Sequence, residues 1–293
     1  MANGAAFLVV GGDSLVGGGV VDALSRRGRL VYSSTRKTAT LNAERLYLDF
    51  ERYAEFKLPA DVGYVYLVAA ATSYDRCEND PLARITNVEL IPAFVGSLLQ
   101  RGTFVTFIST NTVFGGDQPW PDEDAPHDPR IAYARQKAEG EAAIRAIAES
   151  VGAADRLAIV RLTKILAANV SPLPAWFAAW QRGEAIDPFA DLIFAPMSRR
   201  FVGDALVKLG EKRLAGNLHL SGEANASYVD FARALAHRMG IDESLIRPTT
   251  AVAKGIDIPF KPRFSGLGMT RTTQLSGIQP QRLEQVIDDL VPG

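Results

Sequence analysis

A tyrosine and a lysine, Tyr133 and Lys137, stand one helical turn apart in the segment Tyr133-Ala134-Arg135-Gln136-Lys137. In a helix this i,i+4 spacing puts both side chains on one face. An ammonium held there favours the ionised phenol, which lowers its pKa and suits Tyr133 to acid/base work. The bland reading is a surface pair. Upstream, the apolar run 104–108 ends in Ser109-Thr110-Asn111-Thr112. If that run is a strand of a parallel sheet, the hydroxyls arrive at its carboxyl edge, where such folds bind ligands. Thr110 would then hydrogen-bond a substrate carbonyl while Tyr133 supplies the proton; the alternative is a capping Ser/Thr cluster. Thr110, Tyr133 and Lys137 are the candidate catalytic set.

A second constellation lies near the N-terminus. Gly11-Gly12-Asp13-Ser14-Leu15-Val16-Gly17 follows the apolar run 7–10 directly and opens a helical pattern. A pyrophosphate needs bare backbone N–H groups, close chain approach and the positive end of a helix dipole, and this turn offers all three. Gly11 would make the tight turn and Gly17 would let helix and strand pack closely, with the Ser14 hydroxyl in reach of a phosphate. The competing reading is an ordinary strand-to-helix turn. After the next strand comes Ser33-Ser34-Thr35-Arg36-Lys37, with no carboxylate to accept from ribose hydroxyls. Arg36 and Lys37, helped by Ser33 or Ser34, suit a 2′-phosphate, so the expected cofactor is NADP(H) in preference to NAD(H). A solvated basic loop is the alternative.

These residues need a scaffold. Strands are expected at 7–10, 30–32, 46–48, 64–68, 104–108 and 157–162, with helices at 15–27, 81–100 and 131–149. The alternation predicts an α/β fold, a Rossmann-type doubly wound parallel sheet with right-handed crossovers. After about Leu166 prolines interrupt the rhythm. A helix at 203–213 and a strand at 218–220 look like further layers on the sheet, and helices at 227–239 and 280–290 form a C-terminal cap. The expected division is 1–165 for the dinucleotide, rejoined by about 200–221, and 166–293 mainly for substrate.

Composition narrows the class. Of 293 residues 47 % are hydrophobic and 22 % charged, with a formal net charge of −1, so no global basic field would hold nucleic acid or an anionic membrane. No uninterrupted apolar stretch comes near the length of a bilayer span, and no secretory leader is visible. The single cysteine, Cys77, excludes an internal disulfide framework and reads as a buried small residue; His127, His219 and His237 have no ligand spacing, so no metal is expected. The expected location is cytoplasmic.

Ser109-Thr110-Asn111-Thr112-Val113-Phe114-Gly115-Gly116 resembles the S-T-D-Y-V-F-x-G segment of dTDP-4-dehydrorhamnose reductases, a branch of the extended short-chain dehydrogenases/reductases. The stretch 121–141, with Pro129, Tyr133, Lys137 and Gly140-Glu141, is similar too. So are Asn79-Asp80-Pro81 with Asn87, Arg161-Leu162-Thr163-Lys164, and Lys261-Pro262 with Ser265 and Leu267. By this resemblance Ala69, Ala70 and Ala71 line the cofactor, and Asp49 and Phe50 touch adenine; Gly11, Ser14, Leu15, Val16, Gly17, Ser34, Arg36, Lys37, Tyr133 and Lys137 complete the cofactor set. The resemblance implies reduction of a keto group on a deoxy nucleotide sugar, with hydride from NADPH, a proton from Tyr133, polarisation by Thr110 and the nicotinamide ribose held by Lys137. The family's Asp and Tyr after the catalytic Thr are Asn111 and Thr112 here, and its aromatic residue after the sixth strand is Lys164. A lysine facing the pocket would want an anionic partner on the substrate; the other reading is a head that reaches solvent. For a substrate diphosphate, Arg199, Arg200, Lys261 and Arg263 are candidates, so Asn111, Lys164, Arg200 and Lys261 form the expected substrate set. Trp176, Phe177 and Trp180 read as a helix face packing on the sheet rather than as a platform for a base, and Asp122-Glu123-Asp124 as a surface loop. Rival functions are a nucleotide-sugar epimerase or dehydratase, and a non-catalytic NADP-binding regulatory subunit such as that of methionine adenosyltransferase. A helix-mediated homodimer is compatible with the fold class.

Overall fold

The computed structural model describes residues 6–291, and the first half of this span alternates strand and helix. In chain order the early elements are β1 (Ala6–Val10), α1 (Leu15–Arg26), β2 (Val31–Thr35), β3 (Arg45–Tyr47), β4 (Val62–Leu67) and α2 (Tyr74–Asn79). Then come α3 (Pro81–Ile85), α4 (Ile91–Gln100), β5 (Phe104–Thr110), α5 (Ala132–Ser150), β6 (Leu157–Leu162), β7 (Lys164–Leu166) and α6 (Leu173–Gln181). The chain closes with β8 (Ile193–Phe194), β9 (Pro196–Ser198), α7 (Arg199–Glu211), β10 (Gly216–Leu220), β11 (Ala226–Ser227), α8 (Tyr228–Met239), α9 (Thr270–Ser276) and α10 (Leu283–Leu290).

Seven strands form one parallel sheet in the order β10-β6-β5-β4-β1-β2-β3, so the chain winds outward in both directions from β1. The β1 run is apolar at every position because both faces of the sheet are covered. Phe7 and Val9 face α1 and α7 with Val20, Leu24, Val202 and Leu206. Ala6, Leu8 and Val10 face α4 and α5 with Phe94, Leu98, Ile144 and Ala148. A third cluster, separate from the sheet, holds the C-terminal part together around Trp176, Phe194, Phe231 and Ile287.

Several expected boundaries shift for physical reasons. Strand β2 runs on through Ser33, Ser34 and Thr35, because β3 offers a parallel partner register at Arg45, Leu46 and Tyr47 that overrides weak local propensity. The expected helix 81–100 is continuous but contains a π turn, Thr86–Leu90, just before Pro92. The extra residue there re-aims Asn87 inward. By length and mean composition Pro81–Gln100 would pass for a bilayer span, although Arg84, Asn87 and Glu89 interrupt its apolar run. In the fold that apolarity is spent on the sheet, with Phe94, Val95, Leu98 and Leu99 buried. Helix α7 starts at Arg199 rather than Gly203, because Ser198 caps it by accepting from the Phe201 N–H at 3.0 Å. The α6 aromatics pack on α8 and Phe194, not on the sheet: Trp176 meets Tyr228 edge-on at 6.4 Å and Phe231 at 6.3 Å. Helices α2 and α9 carried too short a pattern to be foreseen.

Candidate active site

The glycine turn closes through short side-chain bonds. Gly11 has φ of +86°, a region that excludes most side chains, and a Cβ there would lie 2.9 Å from the Ala69 Cβ. Its N–H donates to the Ser34 hydroxyl at 3.0 Å, tying the turn to β2. Ser14 is the N-cap of α1: its hydroxyl accepts from Gly17 N–H at 3.0 Å and donates to the Gly11 carbonyl at 2.8 Å. At Gly17 a Cβ would collide with the Gly11 carbonyl, so bare backbone lets helix and turn meet.

This turn borders a groove of about 450 Å³. Gly11, Ser14, Ser34, Arg36 and Lys37 line one side of it, and Asp49, Phe50 and Ala69 to Ala71 the other. Leu15 and Val16 face the adjoining cavity instead, and Gly17 lies beneath the turn. Asp49 caps the short helical segment after β3 by accepting from the Glu51 N–H at 3.2 Å, and Phe50 is braced edge-on against Phe94 at 5.8 Å. Buried Asn87 anchors the strand-end loop: it accepts from Ala71 N–H at 3.0 Å, donates to Ala71 O at 2.9 Å, and donates to Gln136 at 2.9 Å. Cys77 is buried beside this anchor, with its thiol against the Ala71 carbonyl.

The groove also holds a carboxylate that the β2 sequence lacks. Asp13 reaches across from the turn, accepts from the Thr35 hydroxyl at 2.6 Å, pairs with Arg45 and lies 4.0 Å from the Lys37 ammonium. The Thr35 bond first, then the charges of Arg45 and Lys37, hold the Asp13 carboxyl below the usual range despite partial burial. Arg36 has no acidic partner within 4.0 Å among the described residues.

Ser14 and Ala70 also line a second cavity, of about 590 Å³, so the two spaces adjoin. Thr110, at the end of β5, and Tyr133 and Lys137, in the first turns of α5, line it together. The Tyr133 ring lies 5.4 Å from that of Tyr74. Burial pushes the Tyr133 phenol far above its ordinary value, with Tyr74 adding to the rise and the Thr110 hydroxyl opposing it. The expected lowering of this pKa by Lys137 is not seen. The Lys137 ammonium points away, donating to the Ile108 carbonyl at 2.7 Å and lying 3.9 Å from the centre of the Phe107 ring. Burial lowers its pKa to about 7, against the attraction of Glu141. Below that pH the folded protein carries a buried charge that the unfolded chain carries in water. Lys137 therefore costs stability at low pH, and the cost fades as pH rises from about 7 toward the unfolded value. Lys137→Met is expected to raise the thermal midpoint at about pH 6 by roughly 2–6 °C, with a smaller gain at about pH 9. Calorimetry at both values checks this, and a destabilised variant would contradict it.

The expected substrate contacts divide. Asn111 lines the cavity, but its amide donates to the Ser265 carbonyl at 2.9 Å and hydroxyl at 3.0 Å. Lys164, the first residue of β7, lines it as well. Arg200 and Lys261 do not: Arg200 faces Asp289 at 3.9 Å, and Lys261 pairs with Asp191 at 2.9 Å. Arg199 is structural, bonded to the Leu15 carbonyl at 3.1 Å and to Asp22 at 2.6 Å, and Arg263 lies over the Phe264 ring.

Behind the cavity lies a polar core that the sequence does not reveal. Arg161 and Glu141 are fully buried and paired at 2.7 Å. Glu141 also accepts from the Ser109 hydroxyl at 2.5 Å, which links the α5 stripe to the strand end that bears Thr110. The acidic loop read as surface belongs here in part: Glu123 is buried and accepts from Thr272 N–H at 2.9 Å, while Asp124 pairs with Arg271.

A dinucleotide groove at the carboxyl edge of a doubly wound sheet, adjoining a Thr/Tyr/Lys cavity, defines an NAD(P)-dependent oxidoreductase of the extended short-chain dehydrogenase/reductase type. The chain belongs to the RmlD substrate-binding domain family, whose profile matches residues 5–292. A relative from Streptomyces antibioticus, a probable dTDP-4,6-dihydroxy-2-methyloxan-3-one 4-ketoreductase, is 30 % identical over 226 residues, covering 75 % of this chain and 74 % of its own. The structure of dTDP-4-dehydrorhamnose reductase from Bacillus anthracis in complex with NADP superposes with a TM-score of 0.80 at 20 % identity, covering 99 % and 98 % of the two chains. The dTDP-glucose 4,6-dehydratase of the same organism, in complex with NAD, gives 0.76 at 15 % identity over 98 % and 95 %.

Proposed function

We propose that this protein is an NADPH-dependent reductase of a keto group on a deoxy nucleotide sugar. The observation that carries the reading is the α5 stripe: Tyr133 and Lys137 line, together with Thr110, a cavity that adjoins the dinucleotide groove. The 4-ketoreductase activity for which the 30 % identical relative is named supports the substrate class. The groove fits the cofactor, because Gly11 and Gly17 leave bare backbone where a side chain would collide.

When bound, NADPH supplies the hydride. The backbone of the Gly11 to Val16 turn and the α1 N-terminus hold the pyrophosphate. Ser34, Arg36 and Lys37 take the 2′-phosphate, Asp49 and Phe50 the adenosine, and Ala69 to Ala71 the inner face. Lys137 would hold the nicotinamide ribose. Thr110 donates to the substrate carbonyl oxygen, and Tyr133 delivers its phenolic proton to the alkoxide. A phenol that burial keeps protonated suits a proton donor. Residues 1–165 with about 200–221 serve the cofactor, and 166–293 mainly the substrate.

Arg36→Ala/Lys37→Ala is expected to raise the KM for NADPH by about tenfold or more, with the KM for NADH changed much less. Asp13 already engages Lys37, so Arg36 carries the larger share. Equal effects on both cofactors would overturn the 2′-phosphate assignment. The function itself is tested by NADPH consumption against a panel of 4-keto-6-deoxy nucleotide sugars. Turnover supports it; tight NADPH binding with no substrate reduced would remove it.

A further inference from the structure

The substrate end of the cavity has an unusual charge balance. Its lining contains no acidic side chain among the described residues and only two basic ones, Lys137 and Lys164. Lys137 is buried and bonded to the Ile108 carbonyl. Lys164 is the one whose head meets the solvent inside the cleft. Among the uncharged side chains of the lining are the apolar Ile165, Leu192, Ile193, Phe194, Ile258 and Phe260.

Other cations in the second half of the chain are neutralised by acids. Lys254 meets Asp187 at 2.6 Å, Lys261 meets Asp191 at 2.9 Å, and Arg199 meets Asp22 at 2.6 Å. Lys164 has no acidic oxygen within 4.0 Å and no hydrogen-bond acceptor for its ammonium among the described residues. Its strand fixes where the head projects: β7 pairs with β9 in register Lys164 to Pro196 and Ile165 to Met197, directly after the β6 end that borders Thr110. The surrounding protein lowers its pKa by desolvation, with no charge offsetting the penalty. A cation held this way gains more from an incoming anion than one already paired or fully hydrated.

We propose that Lys164 is a specificity-determining residue that takes an anionic oxygen of the substrate, a sugar-linked phosphate or a carboxylate on the ring. The inference rests on the reading of this cavity as the substrate site. An exposed cation without an acidic partner, in a cleft lined by no acid among the described residues, favours a substrate that carries a negative group there.

The test is binding of UDP-glucose and UDP-glucuronate to the NADP-loaded protein by calorimetry, for wild type, Lys164→Met and Lys164→Arg. These probes share a nucleotide and differ by one ring carboxylate. If Lys164 takes the sugar-linked phosphate, Lys164→Met weakens both by about tenfold or more; if it takes a ring carboxylate, only the advantage of UDP-glucuronate disappears. Lys164→Arg retains most of the affinity in either case, which a merely structural lysine would not require. Unchanged affinities in Lys164→Met would overturn the proposal. If neither probe binds the wild type although NADP does, the nucleotide-sugar reading fails, and Lys164 is then judged with inorganic phosphate. Reductive methylation of the NADP-loaded protein, followed by peptide mass spectrometry, reads its accessibility. Protection of Lys164 by millimolar phosphate supports an anion site, and labelling that phosphate leaves unchanged overturns it.

Discussion

Tyr133→Phe is expected to lower kcat by roughly a thousandfold while leaving the Kd for NADPH within about threefold of wild type. The substitution removes only the phenolic oxygen, and Tyr133 lines the reaction cavity rather than the adenosine groove. The ring keeps its place against Tyr74. Burial holds the phenol protonated, so on the proposed mechanism wild type would enter each turnover with the proton in place, and the variant would have to draw one from water. Residual turnover would reflect alignment of substrate and hydride, which the variant retains. Stopped-flow NADPH oxidation with fluorescence binding measures both quantities. Loss of cofactor affinity in parallel with kcat would mean that Tyr133 holds the cofactor rather than the proton.

Arg161→Met is expected to destabilise the protein by about 3–5 kcal/mol, because it strands a buried carboxylate. The guanidinium gives Glu141 bonds of 2.7 to 3.2 Å, reaches the Glu123 carbonyl at 3.1 Å, and meets His219 Nε2 at 3.2 Å and His127 Nε2 at 2.8 Å. A guanidinium only donates, so both Nε2 atoms accept, and His219 Nδ1 is left to donate to the Gly268 carbonyl at 2.8 Å. Burial, then the Arg161 charge, holds His219 neutral with a pKa of about 4. Burial alone would raise the Glu141 pKa, but the bonds and charge of Arg161 outweigh it and hold it low. This contribution is present at neutral pH and is lost as pH falls through the folded value. Arg161→Met/Glu141→Leu should recover most of the loss, since neither charge is then buried alone. Urea unfolding decides it: a loss under about 1 kcal/mol in the single variant would mean that Glu141 finds another partner or protonates cheaply.

What the sequence made legible was local. The β1 run, the turn from Gly11 to Gly17 and the Tyr133/Lys137 spacing each lie within a few residues, and each sits at the position its pattern implies. What stayed hidden depends on partners far along the chain. Asp13 meets Arg45 across β2 and β3, so the end of β2 lacks a carboxylate in sequence but has one in space. Arg200 and Lys261 read as free cations because Asp289 and Asp191 are remote in the chain. Glu123 sits between two acids, a surface pattern, yet turns inward to cap Thr272. The Lys137 ammonium lies on the same helix face as Tyr133, but face alone does not say that its long stem carries the charge to the Ile108 carbonyl.

Net reduction by this chain can be followed with deuterium. Incubation with NADPH deuterated at the transferable position of nicotinamide C4 and a dTDP-4-keto-6-deoxy sugar, followed by mass spectrometry of the sugar product, reports where the label goes. Hydride transfer predicts a carbinol product carrying one deuterium, with NADP formed in equal amount. An epimerised or dehydrated sugar without label, or unchanged sugar beside tightly bound NADPH, would contradict it.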